Sequence, residues 1–184
     1  ALSGRVFSAR QFAPAFDAHS LGRWIDRAPG LNLSDHLVAR EEGEVVGWLG
    51  LWDESVMRRV RVAGYSRMAA LRYAIRDALA PVTGVMRVPR VGELVGCAVV
   101  VHTCVSANHP DALRAMLVHA AESPQLCHCP WLRIAIDPVD PLTHAVVGMR
   151  SQVSSLGAYV TTPRGAYVGL PLDDRPLHFE AALA

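Results

Sequence analysis

The feature that most constrains this fold is a nine-residue run, residues 97–105, in which nearly every side chain is apolar. Such a continuous apolar run is typical of a strand that is covered on both faces of its sheet. An amphipathic helix follows over residues 111–122, and residues 131–136 have the pattern of a second buried strand. Two strands joined by such a helix run parallel. The sequence therefore predicts an α/β fold with a mixed sheet, in which residues 97–105 are the central strand and residues 131–136 its parallel neighbour.

The rest of the chain predicts helices and antiparallel strands around this unit, within a single domain of 184 residues. The first half begins with an irregular lead-in over 1–16 and a helix that is capped by Asp17 and ended by Pro29-Gly30. A hairpin follows, with strands 36–40 and 44–52 around the turn 41–43, and a third meander strand covers 58–62. The last element of this half is a helix that is capped by Ser66 and ended by Pro81. In the second half they are a short helix over 141–150 and closing antiparallel strands over 157–168 and 177–183. Because the chain starts at Ala1 without methionine, we expect it to be a fragment of a longer polypeptide.

Composition and charge exclude several classes of partner. The chain has 18 basic and 17 acidic residues, so net charge gives no case for binding nucleic acid or an anionic membrane. All the basic residues are arginine, which agrees either with arginine-rich codon usage or with bidentate phosphate binding. No apolar run reaches the roughly 18 residues that span a bilayer. We therefore expect a cytoplasmic protein.

The four cysteines do not form the framework of a secreted disulfide protein. Two of them lie in the predicted central strand, and two flank a histidine in the triplet Cys127-His128-Cys129. Structural zinc sites commonly combine two C-x2-4-C pairs, and this triplet is a single, shorter pair. We predict that the triplet holds no structural zinc and that the chain has no metal site.

The order of elements and several short motifs resemble the GNAT acyltransferase superfamily. The segment His36-Leu37-Val38-Ala39-Arg40-Glu41-Glu42-Gly43-Glu44-Val45-Val46-Gly47 is similar to a hairpin common in that family. Leu51-Trp52-Asp53, Gly64-Tyr65-Ser66 and the tail from Leu172 to Glu180 look like the C-terminal domain of tandem GNAT proteins. The resemblance covers roughly residues 12–184. It implies a GNAT-like fold, acetyl-CoA or another acyl-CoA as acyl donor, and an amine or other small molecule as acceptor.

The segment after the central strand departs from the family pattern at the cofactor loop. Catalytic members carry a glycine-rich loop there, and this chain has Ser106-Ala107-Asn108-His109-Pro110-Asp111 instead. Side chains at the glycine positions obstruct the close approach of a pyrophosphate to the backbone, and Asp111 repels an anion. Helix-terminal amides and polar side chains remain, so we expect weak acyl-CoA binding. The residues predicted to contact the cofactor are Val105, Ser106, Asn108 and Arg114.

The candidate catalytic residues are His102, Thr103 and His144. The first two lie near the carboxyl end of the central strand, where open α/β sheets bind ligands, and a histidine there has a suitable pKa range for deprotonating an amine. His144 lies on the short helix where the family often carries a tyrosine that protonates the departing thiolate. Tyr159 and Tyr167 fall on predicted strands and agree with ordinary sheet aromatics.

Two functions from different classes stay open at this point. One is an acyl-CoA-dependent acyltransferase with an unusual cofactor loop. The other is a non-catalytic GNAT-like domain that serves as a structural, dimerising or ligand-binding partner, either of a second copy or of a catalytic GNAT domain. The acceptor and the acyl chain are set by loops whose conformation the sequence does not give.

Overall fold

A four-stranded mixed sheet organises the described part of this computed structural model, which comprises residues 2–14, 16–83, 88–123, 126, 128–129, 131–151, 153–155 and 173–178. The helices are α1 (Leu2–Ser8), α2 (Ala18–Arg27), α3 (Arg67–Thr83) and α4 (Pro110–Glu122). The strands are β1 (His36–Glu41), β2 (Glu44–Asp53), β3 (Val60–Arg61), β4 (Leu94–Val95), β5 (Cys97–Val105) and β6 (Trp131–Arg133). Three 3-10 helices span Leu33–Asp35, Glu54–Val56 and Pro141–Val146.

The sheet has the strand order β1-β2-β5-β6, with β5 in its interior. The pairs β1/β2 and β2/β5 are antiparallel, and β5/β6 is parallel. These findings confirm the central strand and its parallel neighbour, and with them a mixed α/β architecture. The parallel ladder is shorter than predicted, because β6 ends at Arg133, which pairs with Val99. Beyond Val99, β5 continues for six residues that have no ladder partner on the β6 side among the described residues.

The predicted hairpin is present, and its turn explains why the two strands pair in this register. Glu42 and Gly43 have φ angles of +49° and +85° between paired residues Glu41 and Glu44. Two consecutive left-handed residues are the backbone of a type I′ turn, whose twist matches that of the strands it joins. Glycine at the second position adopts this conformation without steric cost.

Helices cover both faces of the sheet. On one face, α4 and the Pro141–Val146 helix pack against β2 and β5 in a shared core; its buried members are Leu49, Leu51, Val100, Val105, Leu113, Met116, Leu117, Ala120, Leu142 and Ala145. On the other face, α2 packs through Ile25 against Trp52, Val99 and Val101. Asp17 caps α2 through a reciprocal capping box with Ser20, as its sequence predicts.

Four boundary predictions are wrong. The predicted irregular lead-in contains a helix, Leu2–Ser8, which buries Val6 and Phe7 against Cys104. The third strand leaves the meander, since β3 pairs only with β4 in a separate two-stranded sheet. Pro81 lies inside α3 instead of ending it. The short helix over 141–150 is a 3-10 helix that ends at Val146.

The helix α3 carries an apolar stripe on the surface. Met68, Leu71, Ile75 and Leu79 are each more than half exposed. Among the described residues, no helix is long and apolar enough to cross a membrane. The closing strand predicted over 157–168 and most of the one over 177–183 lie outside the described residues. Within the second, Leu177 forms an isolated parallel bridge to Gln11.

Gly50 provides a test of the packing on the α2 face. A Cβ atom at Gly50 would lie 2.8 Å from His36 Nε2 and 2.9 Å from Val101 Cγ2. We expect Gly50→Ala to lower the free energy of unfolding by about 1–3 kcal/mol, because the neighbouring side chains must shift. Urea denaturation measures this change.

The matched control is Gly22→Ala in α2, where a Cβ meets no atom within 4 Å. This control should raise the free energy of unfolding by about 0.5–1 kcal/mol, because alanine is the better helix former. Equal effects of the two substitutions would contradict the packing described here.

Candidate functional site

The central strand contains a β-bulge at its most unusual residue, His102. Trp48 pairs with Cys104 and Gly50 with Val101, so two steps along β2 match three steps along β5. His102 has a φ angle of +53°, in the left-handed region that non-glycine residues rarely enter. Such backbone costs on the order of 1–3 kcal/mol and persists only where its surroundings enforce it. The bulge also reverses the alternation of β5.

The reversal is visible in the packing on either side of the bulge. Val99 and Val101 pack on the α2 face, and Val100 on the α4 face. After the bulge Cys104 lies against α1, and Val105 joins the α4 core. The extra residue therefore turns the last part of β5 over and aims the His102 side chain at the α2 side.

His102 is paired there with a second histidine, His36, from the first residue of β1. The two imidazole rings are stacked, with their planes 9° apart and their centroids 5.5 Å apart. His36 Nε2 lies 3.2 Å from His102 Nδ1. The pair sits over Gly50, whose missing Cβ leaves the space that the His36 ring occupies.

The hydrogen-bond network assigns a tautomer to each ring. His36 Nδ1 lies 3.1 Å from the carbonyl oxygen of Asn32, which can only accept, so this nitrogen carries the proton. In neutral His36 the Nε2 atom is then an acceptor, and His102 Nδ1 donates to it. Neutral His102 consequently has its lone pair at Nε2. This is the atom at which the pair can take up a proton.

Aromatic rings enclose this pair. The Trp24 ring meets His102 edge-on at 4.3 Å between centroids, and Phe16 does so at 5.5 Å. Trp48 lies 6.0 Å from both imidazoles. As a result only 1% of His102 is exposed. Burial lowers the pKa of His36, and its carbonyl partners Asn32 and Leu33 and the charge of Asp35 oppose this shift without cancelling it.

A cavity of about 610 Å³ lies at the carboxyl end of β5, between α1 and the start of α4. Val105, Ser106 and Asn108 line it, and so do Arg5 and Arg10 of the amino-terminal segment. The first turn of α4 begins beside it, with His109 at the N-cap. The His109 side chain makes no capping hydrogen bond and pairs instead with Glu41 at 2.8 Å. Helix amino termini favour anions, because their first amides point outward.

Arg10 is the buried cation of this cavity. Its Nε donates to Asp140 at 2.8 Å, and both side chains are more than nine-tenths buried. Its Nη1 is buried and has no hydrogen-bond partner among the described residues. A buried guanidinium nitrogen without a partner costs free energy. Because Arg10 lines the cavity, its positive charge favours an anionic occupant there.

The site residues predicted from the sequence lie in different parts of the structure. Val105, Ser106 and Asn108 share the cavity. Arg114 does not line it, because its guanidinium donates to the carbonyls of Ala145 and Val147 and ties α4 to the Pro141–Val146 helix. Thr103 is half-buried, next to His102.

His144 lies apart from the histidine pair. It is exposed on the helix that packs on the α4 face, whereas His102 lies on the α2 face. Its Nδ1 lies 2.9 Å from the carbonyl of Pro141, so this nitrogen donates and the lone pair is at Nε2.

Sequence reasoning missed His36, Gly50 and Arg10. His36 occupies the first position of a strand, and nothing in its neighbourhood marks it as a partner of a residue 66 positions away. Arg10 lies in a segment predicted to be irregular. The one usable signal was Gly50 within an otherwise apolar strand, since an isolated strand glycine indicates a bulge or a close approach.

Comparison with known proteins gave no match: no family model, no curated protein and no solved structure is significantly similar to this chain.

The pair of half-buried His36 and buried His102 predicts a pH dependence of stability. Because the pKa of His36 is lowered on folding, the unfolded chain binds a proton there more readily than the folded chain. The contribution of His36 to the free energy of unfolding is therefore fully present above its unfolded pKa, near 6.5, and is lost as the pH drops below that value. We expect His36→Gln to flatten the dependence of the unfolding midpoint on pH between about 7 and 5.

Thermal unfolding of the wild type and of His36→Gln across this range measures the effect. His19→Gln, a change in an exposed histidine of α2, is the matched control and should keep the wild-type slope. If His36→Gln and the wild type lost stability in parallel on acidification, the result would contradict a lowered pKa of the half-buried His36.

Proposed function

We propose that this chain is a GNAT-like acyltransferase domain that transfers an acetyl or other acyl group from acyl-CoA to an amine or another small acceptor. The observation that carries the proposal is the cavity at the carboxyl end of β5. It lies beyond the point at which β5 and its parallel neighbour stop pairing. Open α/β sheets bind ligands at the carboxyl ends of their strands, and this cavity adds a helix amino terminus and two arginines.

In this proposal the pyrophosphate of the donor lies against the first turn of α4. Ser106 and Asn108 offer side-chain hydrogen bonds, and Arg5 and Arg10 offer charge. The buried, unpartnered Nη1 of Arg10 supports an anionic occupant. Two acidic groups oppose it, since Glu44 and Asp140 also line the cavity. This balance and the glycine-free turn support weak binding, in the high-micromolar range or weaker.

In this proposal His102 accepts the proton that the attacking amine loses. Its lone pair at Nε2 follows from the chain of hydrogen bonds that starts at the Asn32 carbonyl. His36 holds the His102 ring in this tautomer, a role typical of a residue that orients a general base. The acyl group would lie along β5 beyond Val99, close to Thr103, where the described residues include no partner strand on the β6 side. His144 is exposed and would act on the thiol only from the other face of the sheet.

A second candidate function is a domain that binds the same ligand without transferring its acyl group. The enclosure of His102 by Phe16 and Trp24 favours it, because a base that reacts needs access to its substrate. In both candidates the domain is cytoplasmic and works beside a second copy or another GNAT domain, as the sequence predicts. Measurements of binding and of transfer separate the two.

Binding is tested by calorimetric titration with acetyl-CoA. Arg5→Ala removes one exposed guanidinium from the cavity and should weaken binding about five- to tenfold. Arg23→Ala removes the same charge from α2, away from this cavity, and should leave the affinity unchanged. A sub-micromolar dissociation constant would overturn the weak-binding proposal, and equal effects of the two variants would overturn the location.

Transfer is tested by release of free CoA thiol in the presence of a panel of small amines. The acyltransferase proposal expects turnover in the wild type and a decrease of at least about 100-fold in His102→Gln, given the usual contribution of general base catalysis. Binding without turnover by any acceptor would favour the second candidate. Turnover that survives His102→Gln would reassign the base.

A further inference from the structure

A second group of chemically active side chains lies at the opposite end of β5 from the cavity. Asp53 is the last residue of β2 and pairs with Ala98 at the start of β5. His128 and Cys129 lie in the connection that leads into β6. The sheet thus brings together residues that are 75 and 76 positions apart in the sequence. None of them belongs to the cavity or to the histidine pair.

The donor atoms of these three residues are close together. His128 Nε2 lies 2.7 Å from Asp53 Oδ2, and Cys129 Sγ lies 3.8 Å from Asp53 Oδ1. One ligand atom from each residue lies within 4.8 Å of the others. Zinc bonds of about 2.0–2.3 Å in a tetrahedron require donor atoms separated by about 3.5 Å. Small side-chain rotations therefore suffice to bring all three donors onto one ion.

The backbone around the group is held in place. Asp53 Oδ1 accepts from the Ser55 amide at 2.9 Å, which orients the carboxylate. The Cys129 amide donates to the Leu126 carbonyl at 2.8 Å. Gly96 lets the loop pack closely, because a Cβ there would lie 2.6 Å from the His128 carbonyl oxygen. Hydrogen bonds therefore hold the Asp53 carboxylate and the backbone of Cys129 in place.

The charges around the group favour a cation. The Asp53 carboxylate, of which 23% is exposed, lies next to the His128 ring. The neighbouring Glu54 forms an ion pair with Arg133, so that cation is already engaged by another carboxylate. About half of the His128 side chain is exposed, which leaves an entry path for an ion.

We propose that Asp53, His128 and Cys129 form a binding site for a divalent transition metal ion, with Zn²⁺ as the occupant that the ligands favour. Thiolate and imidazole are ligands that select zinc over magnesium and calcium. Three protein ligands leave a fourth position for water or a ligand, unlike a closed structural site. Binding removes a proton from the Cys129 thiol, which is released to solvent.

This site differs from the one that the sequence argument rejected. It does not use Cys127, which lies outside the described residues. That the triplet 127–129 holds no structural zinc stays a prediction. The additional ligand is Asp53, the last residue of β2, which lies 75 positions from His128 in the sequence.

The test uses tag-free full chain, stripped of metal and titrated with Zn²⁺ by calorimetry and with Co²⁺ by absorption spectroscopy. We expect one ion per chain, and with Co²⁺ a thiolate-to-metal charge-transfer band together with the visible bands of a tetrahedral ion. Asp53→Asn, His128→Ala and Cys129→Ser should each weaken binding about 100-fold or more, since even partners outside the ligand set change affinity about 10–100-fold. Cys129→Ser should also abolish the charge-transfer band.

Two controls keep the outcome interpretable. Cys97→Ser removes a nearby thiol that is not one of the three ligands, and His119→Ala removes an exposed histidine of α4; both should bind like the wild type. Asp53→Asn keeps an acceptor for the Ser55 amide, so circular dichroism should show an unchanged fold. Absence of stoichiometric binding by the wild type, or wild-type affinity in Asp53→Asn and His128→Ala, would overturn the proposal.

Discussion

The left-handed backbone of His102 in the middle of β5 is the constraint on which the rest of the structure depends. A buried strand with strict alternation would place residues 101, 103 and 105 on one face. The bulge instead gives Val105 to the α4 core and turns Cys104 toward α1. It also places the His102 imidazole against His36, over a glycine that has no side chain to displace it. Strain in the strand is thus balanced by packing on both faces.

The two ends of β5 have different chemistry. Its carboxyl end opens into the cavity with Ser106, Asn108 and the buried Arg10, where we propose that an anionic ligand binds. Its amino end lies beside Asp53, His128 and Cys129, where we propose that a metal ion binds. The histidine pair lies between them, on the α2 face. The proposed acyl transfer uses the first end and the histidine pair, and the proposed metal site uses the second end.

The sequence predicted the parts of the fold that depend on local patterns. Continuous apolar character identified β5 and β6, the Glu41-Glu42-Gly43 turn identified the hairpin, and Asp17 identified the start of α2. Prediction failed where tertiary contacts decide. The amino-terminal helix forms because Val6 and Phe7 pack against Cys104, and β3 pairs with β4, whose residues lie 33 and 35 positions further along the chain.

The candidate site was only partly predictable for the same reason. Ser106 and Asn108 follow β5 directly, so their position at its carboxyl end could be inferred. Arg114 was predicted to contact the cofactor, and its actual partners, the carbonyls of Ala145 and Val147, could not be inferred because they are more than 30 positions away in the sequence. His36 and Arg10 reach the site through long-range packing that leaves no local pattern.

The measurement that tests the central claim most directly is a titration of isotopically labelled protein with CoA, followed amide by amide by nuclear magnetic resonance. The account predicts that the largest shifts fall on residues 105–110 and on α1 near Arg5 and Arg10, with little change at the β1 edge of the sheet. Shifts confined to the surface groove between β1 and α4, around Val38 and His119, would contradict it.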